Sequence, residues 1–563
     1  MFPSRILACS SGLILSLLAG LASANGWSGN YLSARHAGNM DDYAAAANYY
    51  NRTLSFDTEN VQLQEDAVLA FVMSGDFEAA LDWVSPTQFR AGLPQMSRLV
   101  TLSDTIRSGF WRDAEDYLIQ DEDQMSPIMT SLLRGWVLFG AGDLEQALVE
   151  FDGLGEAGLG VLGQYHSALA IAASGDLPLA IKIMDGGDQN PIHLDRTSIE
   201  AHARMLAQSG NPERAIEIIE RVDPTGSDLR LAALQRDLVD GKQVEFDLVQ
   251  TAQDGTAEVF RTLAAFLSSE DNTDASLIYA RFSEFLKPGQ ADIQLMIGEI
   301  LRQTQTYDLA SKALAAVAAD DPLFPLAEMT RAEVLADSGQ IDVSITVLEV
   351  LGRQRPELAD IPIAMGDILR MEERFAEAEG FYTSALEKLS DDTNDVWRIH
   401  YARGISRERT DQWDLAETDF RKALDLQPNQ PFVQNYLGYS LVEQKRNLDE
   451  ALEMIRSAVE QLPQDGYITD SLGWALYRLG RYDEAVEPME RAAELVATDP
   501  IINDHLGDVY WMVGRQREAR FQWRRALSFE PEEQEVPKIK RKLEIGLNAF
   551  LDEQSSQETA LTE

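Results

Sequence analysis

The sequence predicts an all-α fold in which one helix-turn-helix unit is repeated along the chain as a solenoid. Two observations carry this. A phrase of the form Gly-Asp-aromatic-x-x-Ala returns at Asp42-Tyr43, Gly75-Asp76-Phe77, Gly109-Phe110-Trp111, Gly142-Asp143-Leu144, Gly175-Asp176 and Gly210-Asn211. Its alanines, at 46, 80, 114, 147, 180 and 215, are 34, 34, 33, 33 and 35 residues apart. The second observation is a fixed phase of small and large residues inside each period. In the stretch from Pro500 these are Leu506, Gly507, Tyr510, Ala519, Trp523, Ala526 and Pro531. A unit of this size cannot bury its apolar face alone, so neighbours must stack.

The first 24 residues read as a secretory signal. Arg5 precedes an apolar run from Ile6 to Leu21, and Ala22-Ser23-Ala24 supplies small residues for cleavage after Ala24. A run this short falls below the roughly 20 residues of a membrane span. Cys9 is the single cysteine and leaves with the signal, which excludes a disulfide framework, a cysteine zinc site and a CxxC motif. The expected location is the periplasm, with a membrane anchor disfavoured.

Repeats are expected to begin near 27, 61, 95, 128, 161, 196, 256, 291, 325, 359, 397, 431, 466 and 500. The step from 196 to 256 is too long, and residues 230–255 are expected to form a degenerate helical pair. Ser390 to Asp395 is a polar insertion, read as a loop and a seam. Lys538 to Leu547 is expected to cap the array. The domains so defined are the signal at 1–24, an acidic degenerate array at 25–255, a middle array at 256–396, a regular array with its cap at 397–546, and a disordered tail at 547–563.

The packing logic is steric. Small residues let the two helices of a unit touch, large ones fill the space between units, and proline stops the second helix. The stretch from Trp397 gives Gly404, Ala416, Phe420, Ala423 and Pro428, and that from Ala291 gives Gly298, Ala310, Val317 and Pro322.

The chain has 93 acidic and 48 basic residues, a net charge of −45, which argues against nucleic acid held on a general basic surface. To residue 396 the count is 62 acidic against 27 basic, and from 397 to 546 it is 27 against 21. No catalytic or cofactor motif stands in context. Gly153-Leu154-Gly155-Glu156-Ala157-Gly158 spells GxGxxG but follows a helix, where the nucleotide motif needs a strand. None of His36, His166, His193, His202, His400 and His505 has metal-ligand spacing. His202 is read as packing or surface, acidic pairs such as Glu372-Glu373 as solvated, and Asn51-Arg52-Thr53 as a chance glycosylation match. Catalytic residues, metals and cofactors are therefore expected to be absent.

These repeats resemble the tetratricopeptide repeat family. The resemblance implies a right-handed superhelical solenoid of about 13–14 units, with a concave groove lined by positions 2, 5, 9 and 12 of each first helix. Position 5 then holds Asn435, Asp470 and Asp504, positions 9 and 12 hold Tyr439, Trp474, Tyr477, Asp508 and Trp511, and position 2 holds Arg398, Phe432 and Tyr467. The trough would join aromatic walls to carboxylate and amide rungs able to accept N–H groups of an extended chain. Burying carboxylates is costly, so the rungs are expected to be exposed. The family's carboxylate clamp uses Lys and Asn. Acidic rungs would repel a C-terminal carboxylate, which points to internal segments or basic, apolar partners.

Asn435-Tyr436-Leu437-Gly438-Tyr439, Asp470-Ser471-Leu472-Gly473-Trp474, Tyr477-Arg478-Leu479-Gly480-Arg481-Tyr482 and His505-Leu506-Gly507-Asp508-Val509-Tyr510-Trp511 resemble exported proteobacterial members of that family. Some are adaptors that bring substrates to a periplasmic carboxyl-terminal processing protease. Those adaptors are usually lipoproteins, whereas here Ile6-Leu7-Ala8-Cys9 precedes the apolar run. The alternative is a structural assembly factor for envelope, division or secretion machinery. Partners in either case are proteins or extended peptide segments.

Overall fold

The computed structural model describes residues 26–84, 95–120, 125–155, 158–186, 191–270, 272–393 and 395–562, with side chains as far as Ser556. The signal segment and Cys9 lie outside the described residues. Among the described residues the regular structure is thirty-one α-helices and one 3-10 turn, with no strand. Fourteen helix pairs occupy the expected repeats, from Trp27–Asn39 with Tyr43–Leu54 to Pro500–Met512 with Gln516–Ser528. No helix among these residues is long and apolar enough to cross a membrane.

The recurring phrase is a stop and a start in three residues. Gly75 adopts a φ of 83° and ends one helix, and the Asp76 carboxylate accepts from Ala79 N at 3.1 Å to begin the next. Asp143 and Asp176 cap their helices in the same way, each at 3.1 Å. The phrase alanines, Ala46 to Ala215, are all buried. Small residues in the first helices set the approach distance. A Cβ on Gly298, Gly404 or Gly507 would lie 2.5, 2.6 or 2.4 Å from Leu314, Phe420 or Trp523 of its partner helix.

The chain divides into two compact units, 1–351 and 352–563. The boundaries expected at 255 and 396 do not coincide with this division. The first reason is that helices Ala252–Ser269 and Thr273–Leu286 are built into the N-terminal array. They pack across Val61–Ser74, Gln95–Arg107, Pro127–Gly140 and Gly160–Ala173, the first helices of four successive repeats. Gly255 sits against the Trp136 ring, where a Cβ would come within 2.2 Å. Tyr165 donates to Glu258 at 2.9 Å, and Arg261 joins Glu258 at 2.7 Å to Asp195 at 2.6 Å. Phe77 stacks on Phe285 at 4.2 Å. The turn at residues 41–43 meets much later chain, since Tyr43 donates to Asp274 at 3.4 Å and Thr306 to the Asp41 carbonyl at 2.9 Å. The concave face of the early repeats is thus filled by the chain's own later helices.

Three further expectations change. Residues 230–255 hold one helix, Leu229–Val239, followed by an irregular stretch, and not a helical pair. Gly241 turns the chain at a φ of 71°, and the stretch then buries Phe246, whose N–H donates to Gln208 Oε1 at 2.6 Å. The described residues of the insertion, 390–393 and 395, carry no helix, and they lie inside the second unit instead of at its edge; Lys422 reaches back to Asp391 at 2.6 Å. The tail expected at 547–563 forms the helix Leu547–Thr562, anchored by Leu547 and Phe550, which are buried, and by the Arg541–Glu553 pair at 2.6 Å. Gly153–Gly155 forms the 3-10 turn after helix Leu144–Asp152, as a loop between repeats.

Candidate functional site

In the second unit the first helices of four repeats are Val396–Glu408, Pro431–Glu443, Gly466–Arg478 and Pro500–Met512. Asp465 and Asp499 start the last two by accepting from the N–H groups that follow them, at 2.8–3.0 Å. Gly438, Gly473 and Gly507 admit the second helix closely, which turns positions 5, 9 and 12 toward one face.

The position-5 row carries unequal occupants. Asn435 is half-buried, and its Oδ1 is shielded without a hydrogen-bond donor. Asp470 is buried and meets His505 Nδ1 at 3.0 Å. Asp504 accepts from Lys542 Nζ at 2.7 Å through Oδ2, while its Oδ1 has no donor. At position 9 Asp508 is buried, accepting from Lys542 at 2.7 Å and from Trp523 Nε1 at 2.9 Å. The exposed ladder expected of Asn435, Asp470 and Asp504 therefore fails at Asp470, and Asp508 at position 9 is buried as well. Carboxylates are buried here because cations come with them, which offsets the desolvation cost.

The charges follow from this burial. Desolvation pushes the Asp508 carboxyl up to about 6 against the pull of Lys542. Burial works against charge on His505, but Asp470 overrides it and holds the imidazole above its ordinary range. Burial likewise opposes the charge of Lys542, and Asp508 and Asp504 keep its ammonium above the ordinary lysine value.

The rings are half-buried. Trp474 lies between His505, at 3.9 Å, and Tyr477, at 4.7 Å, in a near-parallel stack. Its Nε1 donates to Glu443 at 3.0 Å, and Arg478 pairs with the same carboxylate at 3.0 Å. The Tyr439 and Tyr477 hydroxyls are pushed up, chiefly by burial. Trp511 stacks on Trp523 at 5.4 Å and donates to Asn548 at 3.0 Å, so the C-terminal helices cover part of it. Arg398 is exposed at the start of its helix and stands 3.6 Å from Asp395. Phe432 and Tyr467 at position 2 are exposed. The site residues thus fall into an aromatic floor around Tyr439, Trp474 and Tyr477, and an internally paired end at Asp504, Asp508 and Trp511.

His505, Lys542 and Glu443 join the site without having been anticipated. Lys542 carried a signal, since it stands 34 residues after Asp508 and extends the row Tyr439, Trp474, Asp508 by one period. His505 lies beside a rung and not on the expected positions. Elsewhere, His202 is buried next to His193 and Asp185, and desolvation lowers it to about 4, as suits a packed neutral ring. Among the described residues no group of three or more His, Cys, Asp or Glu is placed to hold a metal.

Helix pairs of this length, stacked through small and large residues in fixed phase, define a helical repeat scaffold. The tetratricopeptide repeat profile matches residues 401–466 and 437–500. Residues 401–500 thus match the tetratricopeptide repeat family, and the described helix pairs share its helix-turn-helix repeat architecture. The TPR repeat-containing protein PA4667 of Pseudomonas aeruginosa is 24% identical over 186 residues, which is 33% of this chain. The chain spans about a third of that relative's length, 31%. Among solved structures, the APC/C hetero-tetramer Cut9-Hcn1 aligns over 95% of this chain and 99% of its own, at 15% identity and a TM-score of 0.38. YrrB, a TPR protein described as having an unusual peptide-binding site, aligns over 34% of this chain and 97% of its own, at 21% identity and a TM-score of 0.28.

Proposed function

We propose that the first-helix face of the second unit binds extended segments of other proteins, and that the chain is a non-catalytic scaffold or adaptor exported to the periplasm. One contrast carries the reading. The corresponding face of the early repeats is filled by helices Ala252–Ser269 and Thr273–Leu286, whereas among the described residues no later helix of the second unit packs closely across the helices that carry Tyr439, Trp474 and Tyr477 in this way. Its described helices contact near neighbours in sequence, and the C-terminal helices close only one end. On that face Asn435 Oδ1 and Asp504 Oδ1 lack donors, at a cost of about 1–3 kcal/mol each. The half-buried rings of that face would cover apolar side chains of an extended segment.

The finer reading is delivery of substrates to a periplasmic carboxyl-terminal processing protease. Its support is the resemblance of residues 431–531 to exported adaptors. The alternative is a structural assembly factor for an envelope, division or secretion complex. Affinity purification from a native periplasmic extract, with the wild type beside Asn435→Ala/Tyr439→Ala, tests both. The groove reading expects a protein recovered by the wild type and lost from the variant at an unchanged melting temperature. A protease and its substrates among the lost proteins would favour delivery, and components of a membrane machine would favour assembly. Equal recovery by both proteins would place binding elsewhere.

A further inference from the structure

The second helix of the last repeat, Gln516–Ser528, carries Arg517, Phe521 and Arg524 at i, i+4 and i+7, so they share one stripe. All three are exposed, Phe521 by 61%. Neither Arg517 nor Arg524 makes an ion pair among the described residues. Their neighbours are engaged: Arg515 pairs with Glu490 at 2.7 Å, Arg520 donates to the Leu543 carbonyl, and Arg525 to that of Ala497. One repeat earlier, 34 residues back, the equivalent positions on Tyr482–Leu495 are Asp483, Glu487 and Glu490. A single repeat step therefore replaces three carboxylates by Arg, Phe and Arg in a chain of net charge −45. Among the described residues Phe521 stacks on no other ring, and it and both arginines are exposed.

We propose that this stripe is a second docking site, separate from the groove on the first helices, for an acidic segment of another protein. Arg517 and Arg524 are seven residues apart, which is about 10 Å along a helix. An extended chain in the polyproline II conformation covers about 9 Å in three residues and returns its side chain to the same face. The fitting ligand has two carboxylates three residues apart with an apolar side chain near them, so that each carboxylate meets a guanidinium fork and the apolar group covers Phe521. Charge complementarity also selects against broad anionic surfaces. The cationic strip is one helix wide, and the equivalent helix one repeat earlier carries Asp483 and Glu487, both exposed. A lipid bilayer or a nucleic-acid duplex would meet these carboxylates, whereas a single strand seats on Gln516–Ser528 alone.

The test uses the mature full chain and a fluorescein-labelled peptide with two Glu three residues apart flanking Leu, beside its Gln counterpart. Fluorescence anisotropy at low salt should show the Glu peptide bound about tenfold or more tightly than the Gln peptide, and weakened by added salt. Arg517→Gln/Arg524→Gln should weaken the Glu peptide about tenfold, Arg517→Lys/Arg524→Lys should retain most of the binding, and Phe521→Ser should weaken it less than the double Gln change. Arg456→Gln, an exposed cation on another helix, should leave binding unchanged, and all variants should melt with the wild type. If the double Gln variant melts early, Phe521→Ser and the Lys pair still decide. Equal binding of the Glu and Gln peptides, or wild-type affinity in both the Gln pair and Phe521→Ser, overturns the proposal. So does capture of phosphatidylglycerol vesicles or duplex DNA by a protein that does not bind the Glu peptide.

Discussion

Removing Lys542 while keeping its volume, as in Lys542→Met, strips the cation from a buried cluster. The Lys542 ammonium is 2.7 Å from both Asp504 and Asp508, and the residue is only 6% exposed. Deleting one partner of a buried pair costs about 3–5 kcal/mol, because the remaining charge is left without compensation. Asp508 has an escape, since burial already holds its carboxyl at about 6. Protonating a group of that value at pH 7 costs about 1.4 kcal/mol, and less once loss of Lys542 raises it further. The penalty at pH 7 should therefore sit near the lower end of that range. A carboxyl raised in the folded state loses stability as pH rises from its unfolded value, near 4, through its folded value. The variant should thus fall furthest below the wild type above pH 6 and least near pH 5. For a unit of this size the shift at pH 7 is on the order of 10 °C in the transition of residues 352–563. Urea and thermal melts followed by tryptophan fluorescence suit the site, since Trp523 donates to Asp508 and stacks on Trp511. Adding Asp508→Asn should recover most of the loss. A Lys542→Met protein within about 0.5 kcal/mol of wild type at pH 7 would show that the cluster is not a buried pair.

Gly507→Leu should destabilise the second unit by more than about 3 kcal/mol, because even a Cβ would stand 2.4 Å from the Trp523 ring; a melt checks it, with the first unit's transition unmoved. His505→Gln tests the Asp470 pair. A histidine raised in the folded state contributes stability below its unfolded value, about 6.5, that is lost as pH rises through the higher folded value. The melting difference between wild type and His505→Gln should accordingly shrink from pH 6 to pH 8.5, and a constant difference would refute the charged pair. Gly255→Val should unfold the first unit selectively, since its Cβ position lies 2.2 Å from Trp136; a wild-type first transition by calorimetry would contradict the packing.

The repeat phase was legible because each rule acts within about 34 residues. Gly404 against Phe420 and Asp76 at its N-cap are local facts that a short window of sequence contains. What stayed hidden depends on partners far away in the chain. Glu258 and Arg261 look like surface residues of one more repeat helix, yet they are buried against Asp195 and Tyr165. Asp470 looks like a solvent-facing rung because burying a carboxylate is costly and nothing within its own repeat shows that His505 comes with it. Position 5 could be read from the phase, but whether a rung is free or already paired is decided by the neighbouring repeat. Phe246 leaves no signal for a different reason, since the irregular stretch after Gly241 has no period to read.

An open solenoid holds itself together through nearest neighbours, so its ends can fray or be trimmed repeat by repeat. The first unit has given up that freedom. With Tyr43 meeting Asp274 and the Asp41 carbonyl meeting Thr306, contacts spanning 231 and 265 residues join its beginning to much later chain. Long loops must close before such contacts form, which slows folding and makes the transition all-or-none. Residues 252–286 therefore act as a keystone. Cutting the chain before them should leave the early repeats with an exposed apolar wall, whereas a cut near the middle of a one-dimensional array would cost only the repeats removed.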